Sequence, residues 1–160
     1  MIPIIEERHV VLADAEATLA AGAGLAPGMV GGMVITLSGE LGAGKTTLVR
    51  GALHRLGWSG CVKSPSYTLV EHYAISSLYF YHFDFYRFND PDEWESTGFA
   101  EYFLPTTVCL IEWPERVAPR LASVDLALTL TVQGAGRALQ LAARTPAGRA
   151  CLAAFAATRQ

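Results

Sequence analysis

The stretch SGELGAGKTTLVRGAL, Ser38 to Leu53, constrains the fold more than any other part of this 160-residue chain. Gly39, four residues, then Gly44, Lys45 and Thr46 fit the phosphate-loop spacing GxxxxGK[ST], in which glycines leave backbone N–H groups open to an anion. Such a match carries weight only between a strand and a helix. Both are expected here. MVITLS, Met33 to Ser38, is a short apolar run rich in strand formers. From Lys45 to Leu56 apolar residues recur at helical spacing, Leu48, Ala52, Leu53 and Leu56, and Gly57 stops the run. The plainer alternative, a glycine-rich turn that only caps a helix, loses ground because both flanking elements are in place.

The other segments predict an α/β domain. Asp14 is placed as an N-cap for an alanine-rich helix to Ala23, closed by the Gly22, Gly24, Pro27 and Gly28 cluster. KSPSYTLVEHY reads as a loop entering a strand, and AISS as a turn into a long strand, LYFYHFDFYRF. That strand is aromatic on both faces, as in a buried position, with His82, Asp84 and Tyr86 sharing one face. Asp90-Pro91-Asp92-Glu93 is a helix start, with a capping acid, proline at the first position and an acid three residues after the cap. VCLIEW is a short buried strand ending at Glu112. LALTLTV and RALQLAA flank QGAG as a hairpin, and Pro146 to Thr158 forms a terminal helix of open role. The expected architecture is one phosphate-loop NTPase-like domain over residues 1–160, a mixed, mainly parallel sheet with flanking helices and antiparallel hairpins.

Composition narrows the function. Apolar residues make up 51% of the chain, which suits a folded globule and not a disordered one. A net charge of −3 argues against a standing grip on nucleic acid. Any RNA role would need a partner to supply the basic surface. The three cysteines, Cys61, Cys109 and Cys151, are widely spaced with no CxxC pair, which favours buried thiols in a reducing compartment over disulfides or zinc. The charged opening MIPIIEERHV is no signal peptide, and no apolar run approaches 18 residues, so a cytoplasmic location without a membrane span is expected.

In a phosphate loop the backbone of Gly39, Glu40, Leu41, Gly42, Ala43 and Gly44, with the helix N-terminus at Lys45, Thr46 and Thr47, surrounds a β-phosphate. The Lys45 ammonium reaches the β and γ phosphates, and the Thr46 hydroxyl can ligate Mg²⁺. Only Lys45 and Lys63 are lysines, both in segments that read as loops near the phosphate site. A nucleoside triphosphatase also needs an acid at a neighbouring strand end, for the magnesium or its waters. Two residues fit, Asp84 and Glu112. The proline-braced SPSY, Ser64 to Tyr67, could order over a γ-phosphate, or be an ordinary turn. His82 fits a hydrogen-bonded core residue better than a group polarising water. Core packing is the better reading of Trp113, against stacking on a base or a partner, and Trp58 and Trp94 suggest packing alone.

SGELGAGKTTLVRG, SPSYTLVEHY, HFDFYR and LIEWPER together, in this order and spacing, resemble the TsaE (YjeE) family, the bacterial ATPase of tRNA threonylcarbamoyladenosine biosynthesis. The resemblance is strong from about Ala13 to Leu121. The phosphate loop alone is shared by many unrelated proteins, whereas HFDFYR combined with IEWPE is far more specific. It implies that Lys45 and Thr46 bind ATP and magnesium, that Asp84 assists the site, and that Glu112 is close to or on the metal. It further implies a functional Trp113 and places Glu115 and Arg137 toward the nucleoside. One departure is visible: the family's loop reads Ser-Pro-Thr, and here Ser66 replaces the threonine while keeping a hydroxyl. The implied partners are a threonylcarbamoyl transferase subunit and its dimer partner, of TsaD and TsaB type. Transfer RNA would be met only through that complex. Two rivals share the loop: a small-molecule kinase, with Arg116 and Arg120 the nearest lid candidates, and a nucleotide-sensing adaptor without turnover.

Overall fold

The computed structural model describes residues 3–121 and 123–159. Seven strands form one sheet in the order β1-β7-β6-β2-β5-β4-β3. They are β1 (Glu6–Leu12), β2 (Val34–Ser38), β3 (Val70–Ile75), β4 (Leu78–Asp84), β5 (Thr107–Glu112), β6 (Leu126–Gln133) and β7 (Gly136–Ala143). The centre, β6-β2-β5-β4, is parallel. Antiparallel pairs flank it, β6 with β7, β7 with β1 and β4 with β3. Helices α1 (Ala15–Leu25), α2 (Lys45–Arg55) and α4 (Pro146–Thr158) cover one face, and the short α3 (Glu93–Thr97) lies on the other side.

Strand alternation divides the core. Ile35, Leu37, Phe80, Leu110, Leu128 and Leu141 point toward the helical layer, where Leu25, Leu48, Leu53 and Phe155 meet them. On the other face Phe83, Phe85, Phe88, Trp94 and Phe99 pack in an aromatic cluster with Ile111 and Val117. The terminal helix belongs to the core. Thr145 caps it by accepting the Gly148 N–H at 3.1 Å, and Cys151, Leu152 and Phe155 are buried beneath it. Burial pushes the Cys109 thiol up to about 12 and the Cys151 thiol up to about 11, while Cys61 is exposed.

The structure corrects the sequence reading at five points. Strand β1 was not foreseen, because EERHVVL on a sheet edge exposes most of its side chains and lacks a clear apolar period. Helix α1 does not close at Gly22 and Gly24 but runs through both to Leu25. β4 ends at Asp84, not Phe88, because the Asp84 carboxylate takes the Tyr86 N–H at 2.8 Å and turns the chain out of the ladder. Tyr86 consequently leaves the His82 and Asp84 face and is partly exposed. Helix α3 begins at Glu93 with Asp92 before it, two residues later than the expected Asp90 cap; the Asp90 carboxylate accepts the Asp92 N–H at 2.9 Å in the turn ahead of the helix, and Glu93 reaches back to the Asn89 N–H at 2.9 Å.

The glycines in α1 are explained by packing. A Cβ on Gly22 would lie 2.0 Å from the Leu48 carbonyl oxygen, and one on Gly51 would lie 2.1 Å from that of Leu19. The two backbones therefore touch where α1 crosses α2, and α2 carries Lys45 and Thr46. Gly51→Ala gains about 1 kcal/mol of helix propensity. Forcing the backbones apart costs about 1–3 kcal/mol or more, and in this rigid crossing the penalty wins. We expect a thermal midpoint lower by several degrees, read by calorimetry; an unchanged or higher midpoint would show that the crossing can yield.

Candidate functional site

The phosphate loop joins the end of β2 to the start of α2. Gly44, immediately before α2, has φ +105°, a left-handed conformation that L side chains rarely adopt. Arg137, on β7, braces the loop from behind: its Nε donates to the Ala43 carbonyl at 2.9 Å and its Nη2 to that of Gly42 at 3.1 Å. That places Arg137 against the loop's carbonyls, on the edge of the site.

Lys45 is buried, and its ammonium donates to the carbonyls of Gly39 and of Glu40. The same Nζ lies 4.4 Å from the centre of the Trp113 ring. Loss of hydration pushes the lysine below its ordinary pKa, against the opposing pull of Glu112, Asp84, Glu115 and Glu40. Lys63, by contrast, is exposed ahead of SPSY.

The parallel register of β4 and β5 sets Asp84 opposite Glu112, so two buried carboxylates stand side by side at the carboxyl ends of their strands. The Thr46 hydroxyl donates to Glu112 Oε2 at 3.0 Å. Desolvation raises the pKa of Asp84, and the Glu112 charge adds to the rise; the Tyr86 N–H, Ser66 and His82 act the other way. Two buried carboxylates set side by side favour a cation between them. Among the described residues no group of three or more His, Cys, Asp and Glu is placed to hold a metal ion alone. Mg²⁺ fits this donor set, because it is ordinarily held by one or two carboxylates with water and phosphate oxygens. An anionic phosphate fits the buried ammonium and the loop's N–H groups.

These groups open on a cavity of about 260 Å³, bounded by the loop, Ser64, Ser66, Asp84, Glu112 and Trp113. SPSY closes one side. Ser64 and Ser66 share a hydrogen bond of 2.7 Å, and Ser66 donates to Asp84 Oδ2 at 3.4 Å. Tyr67, 84% exposed, stacks against Arg87 at the rim. Trp113 sits at φ +57°, rare for a bulky side chain, and its ring meets Tyr86 at 4.9 Å. Glu115 points elsewhere: it accepts from Ser38 Oγ at 3.4 Å and lines a second cavity of about 520 Å³ with Thr129 and Arg144. Arg116 donates to the Phe88 carbonyl at 3.1 Å, and Arg120 pairs with Asp92 and Glu95, so both lid candidates are engaged outside the pocket.

Sequence reasoning treated His82 as a core residue and missed its partner. The ring is fully buried, and its Nε2 lies 2.6 Å from Glu112 Oε2. Its position two residues before Asp84 on the same strand face was the only signal available.

A strand, glycine loop and helix with buried lysine and hydroxyl, and acids on the neighbouring parallel strands, define a phosphate-loop α/β domain. The family profile described as Threonylcarbamoyl adenosine biosynthesis protein TsaE matches residues 12–140. The tRNA threonylcarbamoyladenosine biosynthesis protein TsaE of Haemophilus influenzae is 44% identical over 123 residues, covering 77% of this chain and 78% of its own. Its namesake from a Nostoc species is 36% identical over 135 residues, 81% and 82% of the two chains. The crystal structure of Bacillus subtilis YdiB superposes with a TM-score of 0.84 at 26% identity over 99% of each chain. This chain belongs to the TsaE family.

Proposed function

We propose that this protein binds ATP with Mg²⁺ at the phosphate loop and hydrolyses it, in support of tRNA threonylcarbamoyladenosine formation. It docks on a threonylcarbamoyl transferase subunit and its dimer partner, of TsaD and TsaB type, and resets them between turnovers. It works in the cytoplasm and meets tRNA only through that complex. Among the described residues no helix is long and apolar enough to cross a membrane. The family membership supports the pathway. The observation that carries the chemistry is the convergence of Lys45, Thr46, Asp84 and Glu112 on one cavity beside the loop.

Thr46, Asp84 and Glu112 would hold Mg²⁺, directly or through its waters, and the ion would neutralise charge on the transferring phosphoryl group. Loop N–H groups hold the β-phosphate, and Lys45 orients the β and γ phosphates through an attraction that water screens poorly at this buried site. Asp84, hydrogen-bonded to Ser66, couples the acid pair to SPSY. Trp113 covers the lysine and excludes water from it.

Phosphate release from ATP, with the protein alone and with the transferase pair added, tests the proposal. Slow release alone and a several-fold rise with the pair are expected. Tight ATP binding with no release in either case would favour the adaptor reading, and phosphate transferred to an added small acceptor would favour a kinase. The engaged Arg116 and Arg120 disfavour the latter.

A further inference from the structure

We infer that His82 is a positioning residue, whose Nε2–H fixes the Glu112 carboxylate toward the phosphate loop while the Thr46 hydroxyl changes partners. The inference rests on the reading of Glu112 as an acid of the phosphoryl site.

Glu112 Oε2 accepts from two donors, Thr46 Oγ1 at 3.0 Å and His82 Nε2 at 2.6 Å. Only one of them is free to leave. Thr46 begins a helix at the mouth of the site, and its hydroxyl must turn from Glu112 if it is to meet a cation. His82 is 0% exposed and held in β4 between Asp84 and the buried Phe80, with neighbouring strands on both sides. In the parallel register His82 pairs with Leu110, one step behind the Asp84 and Glu112 pair, so its ring reaches Glu112 diagonally. When the hydroxyl departs, the imidazole still defines where that oxygen points. An acid acting on an ion must keep its orientation through this exchange, and an acid's hydrogen-bond partner supplies that constraint.

The other ring nitrogen gives the inference its test. His82 Nδ1 is buried and has no hydrogen-bond partner among the described residues. A histidine present only to satisfy the core would be expected to use both nitrogens. Here only the Nε2 side is used, so a side chain presenting one N–H at that reach should replace it. Glutamine does so; asparagine is too short, and leucine offers no donor.

The first measurement needs no nucleotide. His9, His54 and His72 are exposed, so the nucleotide-free protein should show one slowly exchanging imidazole N–H, on Nε2, assigned by its loss in His82→Gln. A neutral His82 carrying its proton on Nδ1 would overturn the proposal. The second compares His82→Leu, His82→Asn and His82→Gln, with thermal midpoints recorded beside steady-state ATP hydrolysis. His82→Leu and His82→Asn should lose at least tenfold in kcat with KM for ATP changed less than threefold, and His82→Gln should recover most of that loss. Equal kcat for the leucine and glutamine variants, or losses that only track the thermal midpoints, would make His82 a packing residue. Absence of hydrolysis by the unsubstituted protein would instead remove the ATPase reading, and the imidazole spectrum would still decide whether His82 holds Glu112.

Discussion

Lys45→Ala should lower ATP affinity by about a hundredfold or more, a loss of at least ~2.7 kcal/mol. The ammonium is buried against Trp113 and hydrogen-bonded to two loop carbonyls, so its charge acts where water screens it poorly. Among the described residues no other cation stands ready to replace it: Lys63 is exposed, and Arg137 is spent on the carbonyls of Gly42 and Ala43. That same arginine should keep the loop in shape when the lysine is removed, so the lost affinity would report charge and not collapse. Isothermal titration, with a thermal midpoint as control, decides it. Affinity within about threefold of the original, roughly 0.7 kcal/mol, would contradict the placement of the phosphates.

Glu112→Gln should leave ATP affinity within about tenfold, because the loop and Lys45 are untouched, and cut partner-stimulated turnover by about 10²–10³-fold, ~3–4 kcal/mol. The substitution keeps an oxygen to accept from His82 and removes the charge, so it separates electrostatics from packing. Hydrolysis at the original rate would take Glu112 out of the chemistry. Asp84, its neighbour across the β4–β5 pair, would then be the principal magnesium acid.

Much of this site was legible because its residues are spaced along single segments. The loop's glycines, Lys45 and Thr46 are contiguous, and Asp84 and Glu112 each end an apolar run. Their meeting across two parallel strands was an inference from topology that the register supports. Three things lay beyond the linear pattern. The 2.6 Å contact of His82 with Glu112 depends on a diagonal between strands 30 residues apart in sequence, and no local period encodes it. Arg137 is brought behind the loop by the β6–β7 hairpin, across 94 residues, so no local pattern marked it, and the resemblance, which turned it toward the nucleoside, did not give its bond to the Ala43 carbonyl. The end of β4 was misplaced because the aromatic run continues through Phe85 and Phe88, while the turn is made by a side-chain bond of Asp84 that competes with the ladder. The glycines of α1 misled for a related reason. Gly22 allows close approach to α2 and Gly24 close approach to Phe155 and Thr158 of α4, which is visible only once the helices are packed.

A triphosphate at the loop is expected to order a second segment, SPSY, through contacts a diphosphate cannot make. Ser66 already joins that segment to Asp84, the Leu69 N–H is tied to the Pro65 carbonyl at 2.8 Å, and Leu69 returns to the Asp84 N–H through its own carbonyl at 3.0 Å. A ligand shifts such a loop only if it binds one of the loop's states better. Hydrogen exchange of the backbone amides from Ser66 to Val70, compared with Mg²⁺ and saturating ATP or ADP, measures that difference directly. ATP should protect this segment more than ADP does, the gap should widen with the transferase pair present, and Ser66→Ala should narrow it while ADP affinity holds. Identical exchange with the two nucleotides, alone and with the pair, would make SPSY a static wall of the pocket and contradict the account.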